Sequence, residues 1–306
     1  MEARQARSRM IPIMDFIVPY GRAKCSEQNG RLRMSRSDDS CEGSRCDAAN
    51  DRRASGGRWL RSVELLGVRV DAVSEREAVL AIRRMWELGE AGQVVTLNPE
   101  FVVRAQREPV FRDILNRSAL STVDGVGVAL AVGGLYRRRA QRVTGADLAP
   151  KLAAEAAEYG APVYFLGAAQ GVASAAAEEL RRQTPGLVVA GVSSGASSPA
   201  GDDEAVEAIV HSGARLLLVA FGAPAQEYWI ARNLPRLGPC VAIGVGGTFD
   251  YLAGVVPRAP RPMRAAGFEW LYRLVRQPSR WRRQLALPIF AYLVLRQCLS
   301  RQATGA

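Results

Sequence analysis

A single histidine, His211, stands in 306 residues, so a His-rich metal site or a Ser-His-Asp triad has little material to form from. It reads as an ordinary helix-end residue. Asp-x-Asp occurs nowhere, so the usual Asp-rich clasp for a divalent metal is missing. The five cysteines (Cys25, Cys41, Cys46, Cys240 and Cys298) form no Cys-x-x-Cys pair. An odd count at irregular spacing argues against a disulfide framework and for a reducing, cytoplasmic setting. No apolar run reaches the roughly 18 to 20 residues that a transmembrane helix needs, so the chain is expected to be soluble or peripheral.

What is present is enough apolar material, 48% of residues, for a full core. The formal charge of +11 is unevenly spread. Residues 1 to 58 carry 12 Lys+Arg against 8 Asp+Glu, and residues 258 to 306 carry 10 Arg against Glu269 alone, which leaves −2 for the body between them. A nucleic-acid binder would show positive charge across a folded face together with reader motifs, and neither is present.

Residues 1 to 57 hold Ser, Arg, Asp, Gly and Asn without period and read as a disordered extension. The apolar patch from Ile11 to Tyr20 is broken by Asp15 and lacks a convincing cleavage site, which argues against a signal peptide. Met34, nearer the folded region, is a second candidate start. A body over 58–257 and a basic, apolar appendage over 258–306 follow.

From Trp59 onward, short apolar runs alternate with amphipathic segments, the grammar of βα units. Val63 to Val70 reads as a strand pair around Gly67, and Ser74 with Glu77 as a capping box opening a helix to about Glu90. Core strands are expected at Val94 to Leu97, Leu120 to Val123, Val163 to Leu166, Leu187 to Val192, Leu216 to Val219 and Val241 to Val245. Most are Val- and Leu-rich without alternation, as in strands buried on both faces. Helices are expected over Leu148 to Tyr159 and Val172 to Gln183. The fold class is therefore α/β, a Rossmann-like, largely parallel sheet with flanking helices and a C-terminal helical appendage.

Ligands on such sheets sit at the carboxyl ends of the strands, so the residues just after each strand are the candidates. TLNPE (Thr96 to Glu100) offers Thr96 and Asn98 either to a substrate or as helix caps. VDGVGVA (Val123 to Ala129) places Asp124 at a strand end, where it could serve as a general base or cap the next helix. Gly125, Gly127 and Leu130 meet the dinucleotide spacing only loosely, which gives an oxidoreductase little support. In RVTGADL (Arg142 to Leu148), Arg142 can reach a phosphate while Thr144 or Asp147 caps a helix. FLGAAQG (Phe165 to Gly171), GAPAQE (Gly222 to Glu227) with Gln226, and GVGGTFDYLAG (Gly244 to Gly254) repeat the strand–glycine–helix turn.

In this order, with VPRAP and with EWLYRL at Glu269 to Leu274, the motifs resemble the WecG/TagA/CpsF family, glycosyltransferase family 26, over residues 60 to 285. The resemblance implies an inverting, metal-independent transferase with no cofactor. Its partners would be a UDP-sugar donor and a polyprenyl-diphosphate-linked sugar acceptor. Asp124 then matches the family's catalytic base, while Thr96, Asn98, Arg142 and Gln226 match substrate-pocket positions. Arg273, Arg280 and Arg283 match diphosphate-facing arginines. Many relatives carry Lys where this chain has Ala225, a departure that bears on substrate preference.

The chemistry agrees. A departing diphosphate needs a metal or fixed cations, and without Asp-x-Asp the arginines are the natural substitute. The apolar stretch Leu285 to Leu295, flanked by arginines and containing Phe290 and Tyr292, reads as an interfacial segment on anionic lipid rather than a helix packed on the body. Membrane contact would order it over the pocket at the inner face of the cell membrane. The competing reading is a nucleotide-sugar-binding regulatory module that needs no base. The sugar transferred and homo-oligomerisation stay open.

Overall fold

The computed structural model describes residues 62–137, 140–278 and 281–304. The disorder expected for residues 1–57 concerns residues outside these. Strands β1 (Ser62–Leu65) and β2 (Val68–Asp71) form an antiparallel hairpin turning through Leu66 and Gly67, both at positive φ. Helix α1 (Glu75–Leu88) opens on the expected capping box: Ser74 Oγ accepts from the Glu77 N–H at 3.2 Å, and the Glu77 carboxylate accepts from the Ser74 N–H at 2.7 Å.

The chain continues as β3 (Gly92–Leu97), α2 (Pro99–Ala105), α3 (Pro109–Arg117), β4 (Leu120–Val123), α4 (Val126–Tyr136), α5 (Gly145–Tyr159) and β5 (Val163–Gly167). Then come α6 (Val172–Gln183), β6 (Val189–Ser193), α7 (Asp202–His211), β7 (Leu216–Ala220), α8 (Ala225–Asn233), β8 (Val241–Gly244) and α9 (Thr248–Leu252). Four helices close the chain: α10 (Arg261–Ala265), α11 (Glu269–Arg276), α12 (Trp281–Gln284) and α13 (Ala286–Thr304).

Strands β3 to β8 form one parallel sheet in the order β4-β3-β8-β7-β5-β6, which is the expected Rossmann-like α/β class. Alternate residues of the inner strands enter opposite cores: Leu216 and Leu218 pack with α5 and α6, while Leu217 and Val219 pack with α7 and α8. Burial on both faces explains why these strands lack polar alternation. The expectation fails at β6, which begins at Val189 rather than Leu187, lies at the sheet edge and is only half-buried. At the other edge, Asp71 accepts from the Ser121 N–H at 2.8 Å and ties the hairpin to β4.

The sheet order reverses between β3 and β8: from β3 the chain steps outward to β4, and it reaches β8 from β7 on the opposite side. That crevice is where a ligand is expected. The C-terminal segment corrects the expectation for Leu285 to Leu295. From Ala286 on it belongs to one long helix, α13, that packs on α2 and α4 and sends Phe290 (4% exposed) into the core with Phe101 and Val128. Its outer face still shows Tyr292 (63% exposed), Leu295 and Leu299. Apolar composition demanded cover; the body supplies it on one side only. Among the described residues no helix is long and apolar enough to cross a membrane.

Candidate active site

A cavity of about 410 Å³ opens at the β3–β8 switch point. Thr96, Asn98, Asp124, Arg142, Gln226, Arg273 and Arg283 all line it, so seven of the eight residues singled out in the sequence converge. Arg280 lies outside the described residues. FLGAAQG does not reach the cavity, and neither does Ala225.

Asp124 follows β4, held by its N–H to the Leu97 carbonyl at 2.7 Å. The cap of α4 is Gly125, at φ 113, so Asp124 does not cap that helix and its carboxylate faces the cavity uncommitted. Gly125 and Gly127 serve packing: an added Cβ would meet the Pro99 ring at 3.3 and 3.2 Å, and at Gly127 also the Phe290 ring at 3.6 Å. Burial pushes the Asp124 carboxyl up to about 7; Arg273 and Arg142 pull it down, Glu269 and Asp147 push it up. A carboxyl poised there can exchange a proton near neutrality.

Asn98 fulfils the capping reading as well, since its Oδ1 accepts from the Phe101 N–H at 3.0 Å. Thr144 caps α5 in the same way. Arg142 reaches the cavity while one of its N–H groups bonds the Arg264 carbonyl at 2.8 Å. Arg273 stacks over the Tyr251 ring with its guanidinium carbon 4.7 Å from the centroid and donates to the Tyr251 hydroxyl. Arg283 is paired with Glu100 at 3.0 Å and donates to the Ala223 carbonyl at 3.3 Å. Arg283, Gln284, Ala286 and Leu287 of the C-terminal segment also wall the cavity.

Sequence reasoning missed several groups. Glu269 and Trp270 line the cavity from α11. Arg258, of VPRAP, bridges Asp147 of the body at 2.7 Å and Glu269 of the appendage at 3.3 Å, while Arg264 stands 3.8 Å from Asp147. Against the upward push of partial burial, the Thr144 hydroxyl first and then Arg258 and Arg142 hold the Asp147 carboxyl below its usual range. Gln226 also does more than line the wall: its Oε1 accepts from the Gly246 N–H at 3.0 Å and its Nε2 donates to buried Glu227 at 2.8 Å. Among the described residues, no group of three His, Cys, Asp or Glu could hold a metal ion.

Comparison with known proteins agrees with this arrangement. The family model for the glycosyl transferase WecG/TagA/CpsF family matches residues 63–304. A relative from Bacillus spizizenii, named N-acetylglucosaminyldiphosphoundecaprenol N-acetyl-β-D-mannosaminyltransferase, is 34% identical over 203 residues, covering 66% of this chain and 78% of the relative. The matched span contains the whole parallel sheet, the cavity and the four C-terminal helices, and on that ground the chain belongs to the WecG/TagA/CpsF family and is a glycosyltransferase.

Proposed function

We propose that this enzyme moves a sugar with inversion, and without a metal, from a UDP-sugar to a sugar carried on a polyprenyl diphosphate. The observation that carries the reading is Asp124, a strand-end carboxyl that caps no helix, is pushed up to about 7 by burial and lines a cavity that also receives Arg142, Arg273 and Arg283. The Bacillus spizizenii relative's name gives the class of acceptor, N-acetylglucosamine on undecaprenyl diphosphate, and an N-acetylmannosaminyl group as the sugar moved.

In this mechanism the Asp124 carboxylate takes the proton from the acceptor hydroxyl as its oxygen attacks the anomeric carbon. The bond from that carbon to the donor's diphosphate breaks on the opposite side, and UDP leaves with the electron pair. Arginines then meet the diphosphate charge, since planar guanidinium donors match phosphate oxygens. Arg283 would exchange part of its pairing with Glu100 for that contact.

A peripheral seat on anionic lipid suits such an acceptor. Exposed apolar side chains on helices bordering the cavity, among them Leu130, Val275, Trp281 and Tyr292, are interspersed with exposed Arg276, Arg282 and Arg296. The division into a body and an appendage at 257/258 belongs to the same reading, with α11 to α13 bridging lipid and pocket. The test is a panel of UDP-sugars offered with short-chain polyprenyl-diphosphate N-acetylglucosamine, with UDP release as the readout, in the presence and absence of EDTA. Release with one donor that survives EDTA is expected; no release with any donor, or a requirement for added Mg²⁺ or Mn²⁺, defeats the proposal.

A further inference from the structure

Glu227 is 2% exposed, follows the pocket-lining Gln226 and plays no part in the mechanism above. Its Oε1 accepts from Gln226 Nε2 at 2.8 Å, and its Oε2 is buried without a hydrogen-bond partner. Its backbone carbonyl accepts from the buried Gln93 side chain of β3 at 3.3 Å, which fixes the residue against the sheet. On the other side of the relay, Gln226 Oε1 accepts from the N–H of Gly246 at 3.0 Å. Gly246 belongs to the turn from Val245 to Thr248 that forms one wall of the cavity, after β8.

We propose that Glu227 is a positioning residue for sugar transfer, orienting the Gln226 amide so that it clamps the β8–α9 turn against the pocket. The amide has two possible orientations. Only one offers an oxygen to the Gly246 N–H, and it obliges Nε2 to find an acceptor on the far side. In this buried wall the acceptor is Glu227 Oε1. The sequence makes room for the relay at Gly244, where an added Cβ would fall 2.3 Å from Gln226 Nε2 and 2.7 Å from Glu227 Oε1. No side chain fits there while the relay stands. Burial, against the pull of Gln226 and of the residue's own backbone N–H, pushes the Glu227 carboxyl up to about 8, which favours the uncharged acid at neutral pH. A neutral group tolerates the unpartnered Oε2 far better than a carboxylate would.

This inference rests on the cavity being the transfer site, and the experiment separates the two. Glu227→Ala, Glu227→Gln and Gly244→Ala are compared with wild type by hydrogen exchange at the Gly246 to Thr248 amides and by donor KM and kcat in the UDP-release assay. Glu227→Ala and Gly244→Ala should speed exchange in the turn by about tenfold or more while amides of α1 keep their rates, and raise donor KM more than they lower kcat. Glu227→Gln keeps an acceptor oxygen without charge and should stay within about threefold of wild type in both readouts. The proposal is overturned if the turn exchanges at the wild-type rate in both disruptive variants, if exchange rises equally throughout the chain, or if Glu227→Gln behaves like Glu227→Ala. Should wild type release UDP from no donor, the functional reading fails while the exchange arm still decides the clamp.

Discussion

If Asp124 is the base, its protonation must govern turnover, and its surroundings fix both the pH and the sign. With the carboxyl at about 7, the ionised fraction in the free enzyme climbs from about one tenth at pH 6 to about nine tenths at pH 8. The acid limb of kcat/KM should therefore rise roughly tenfold across that interval and bend near pH 7. Asp124→Asn should lose about 10² to 10⁴ in kcat and with it the limb. Neighbouring charges move the bend in opposite directions. Arg273 pulls the carboxyl down, so Arg273→Ala should shift the bend up; Glu269 pushes it up, so Glu269→Gln should shift it down. Stability supplies an independent check. A carboxyl raised in the folded state contributes stability that is complete below its unfolded value near 3.8 and is lost as pH rises through about 7. Asp124→Asn should thus melt above wild type at pH 8, by an upper bound of about 4 kcal/mol that water in the open cavity reduces, and close to it at pH 4. Stopped assays from pH 5.5 to 8.5, with melts in the same buffers, decide the matter. A flat profile, or an Asn variant within tenfold of wild type, would refute the assignment.

The Arg258 bridge and the two faces of α13 give further tests. Arg258→Ala leaves Asp147 and Glu269 short of a partner beside the cavity and should cost about 1 to 3 kcal/mol in a urea melt, with the acid limb moved upward by the uncompensated carboxylates. Phe290→Ala should cost about 3 to 5 kcal/mol in the same melt whether or not lipid is present, because its ring fills the core above Gly127. Tyr292→Asp with Leu295→Asp, on the exposed face, should leave the melt unchanged and abolish sedimentation with anionic vesicles; unaltered sedimentation would show that this face does not meet lipid.

Local signals in the sequence translated into structure faithfully. The Ser74–Glu77 box needs only two side chains one turn apart, and both of its hydrogen bonds form. Strands such as Leu216–Ala220 were legible because a run buried on both faces leaves no polar position. The same rule misled at β6, where Leu187 is apolar as a core anchor before the strand begins and the strand itself lies at an edge. Apolar composition reports burial without naming the cover, so the stretch around Phe290 read as lipid-facing although half of it meets α2 and α4. The strand-end rule gathered the pocket residues, but the supporting contacts join distant positions. Arg258 and Asp147 are 111 residues apart, and Gln226 and Gly246 are 20 apart. No periodicity connects such partners.

The C-terminal helices also bear on the charge of Asp124. Burial alone would leave Asp124 protonated and idle as a base, whereas a cluster of arginines alone would hold it at an ordinary low value, ionised but weakly basic. Helix α11 contributes one charge of each sign to the balance: Arg273 draws the carboxyl down and Glu269 pushes it back. Arg258 in turn neutralises Glu269 and Asp147, which limits how far those carboxylates can act. Asp124 therefore sits on the body while part of its tuning sits on the C-terminal helices, and neither part makes the cavity alone. Arg273 stacks on Tyr251, and among the described residues it forms no salt bridge. A guanidinium held by a ring face and a hydroxyl is fixed in place with its charge uncancelled, and an uncancelled charge is what both an ionising base and a departing diphosphate require.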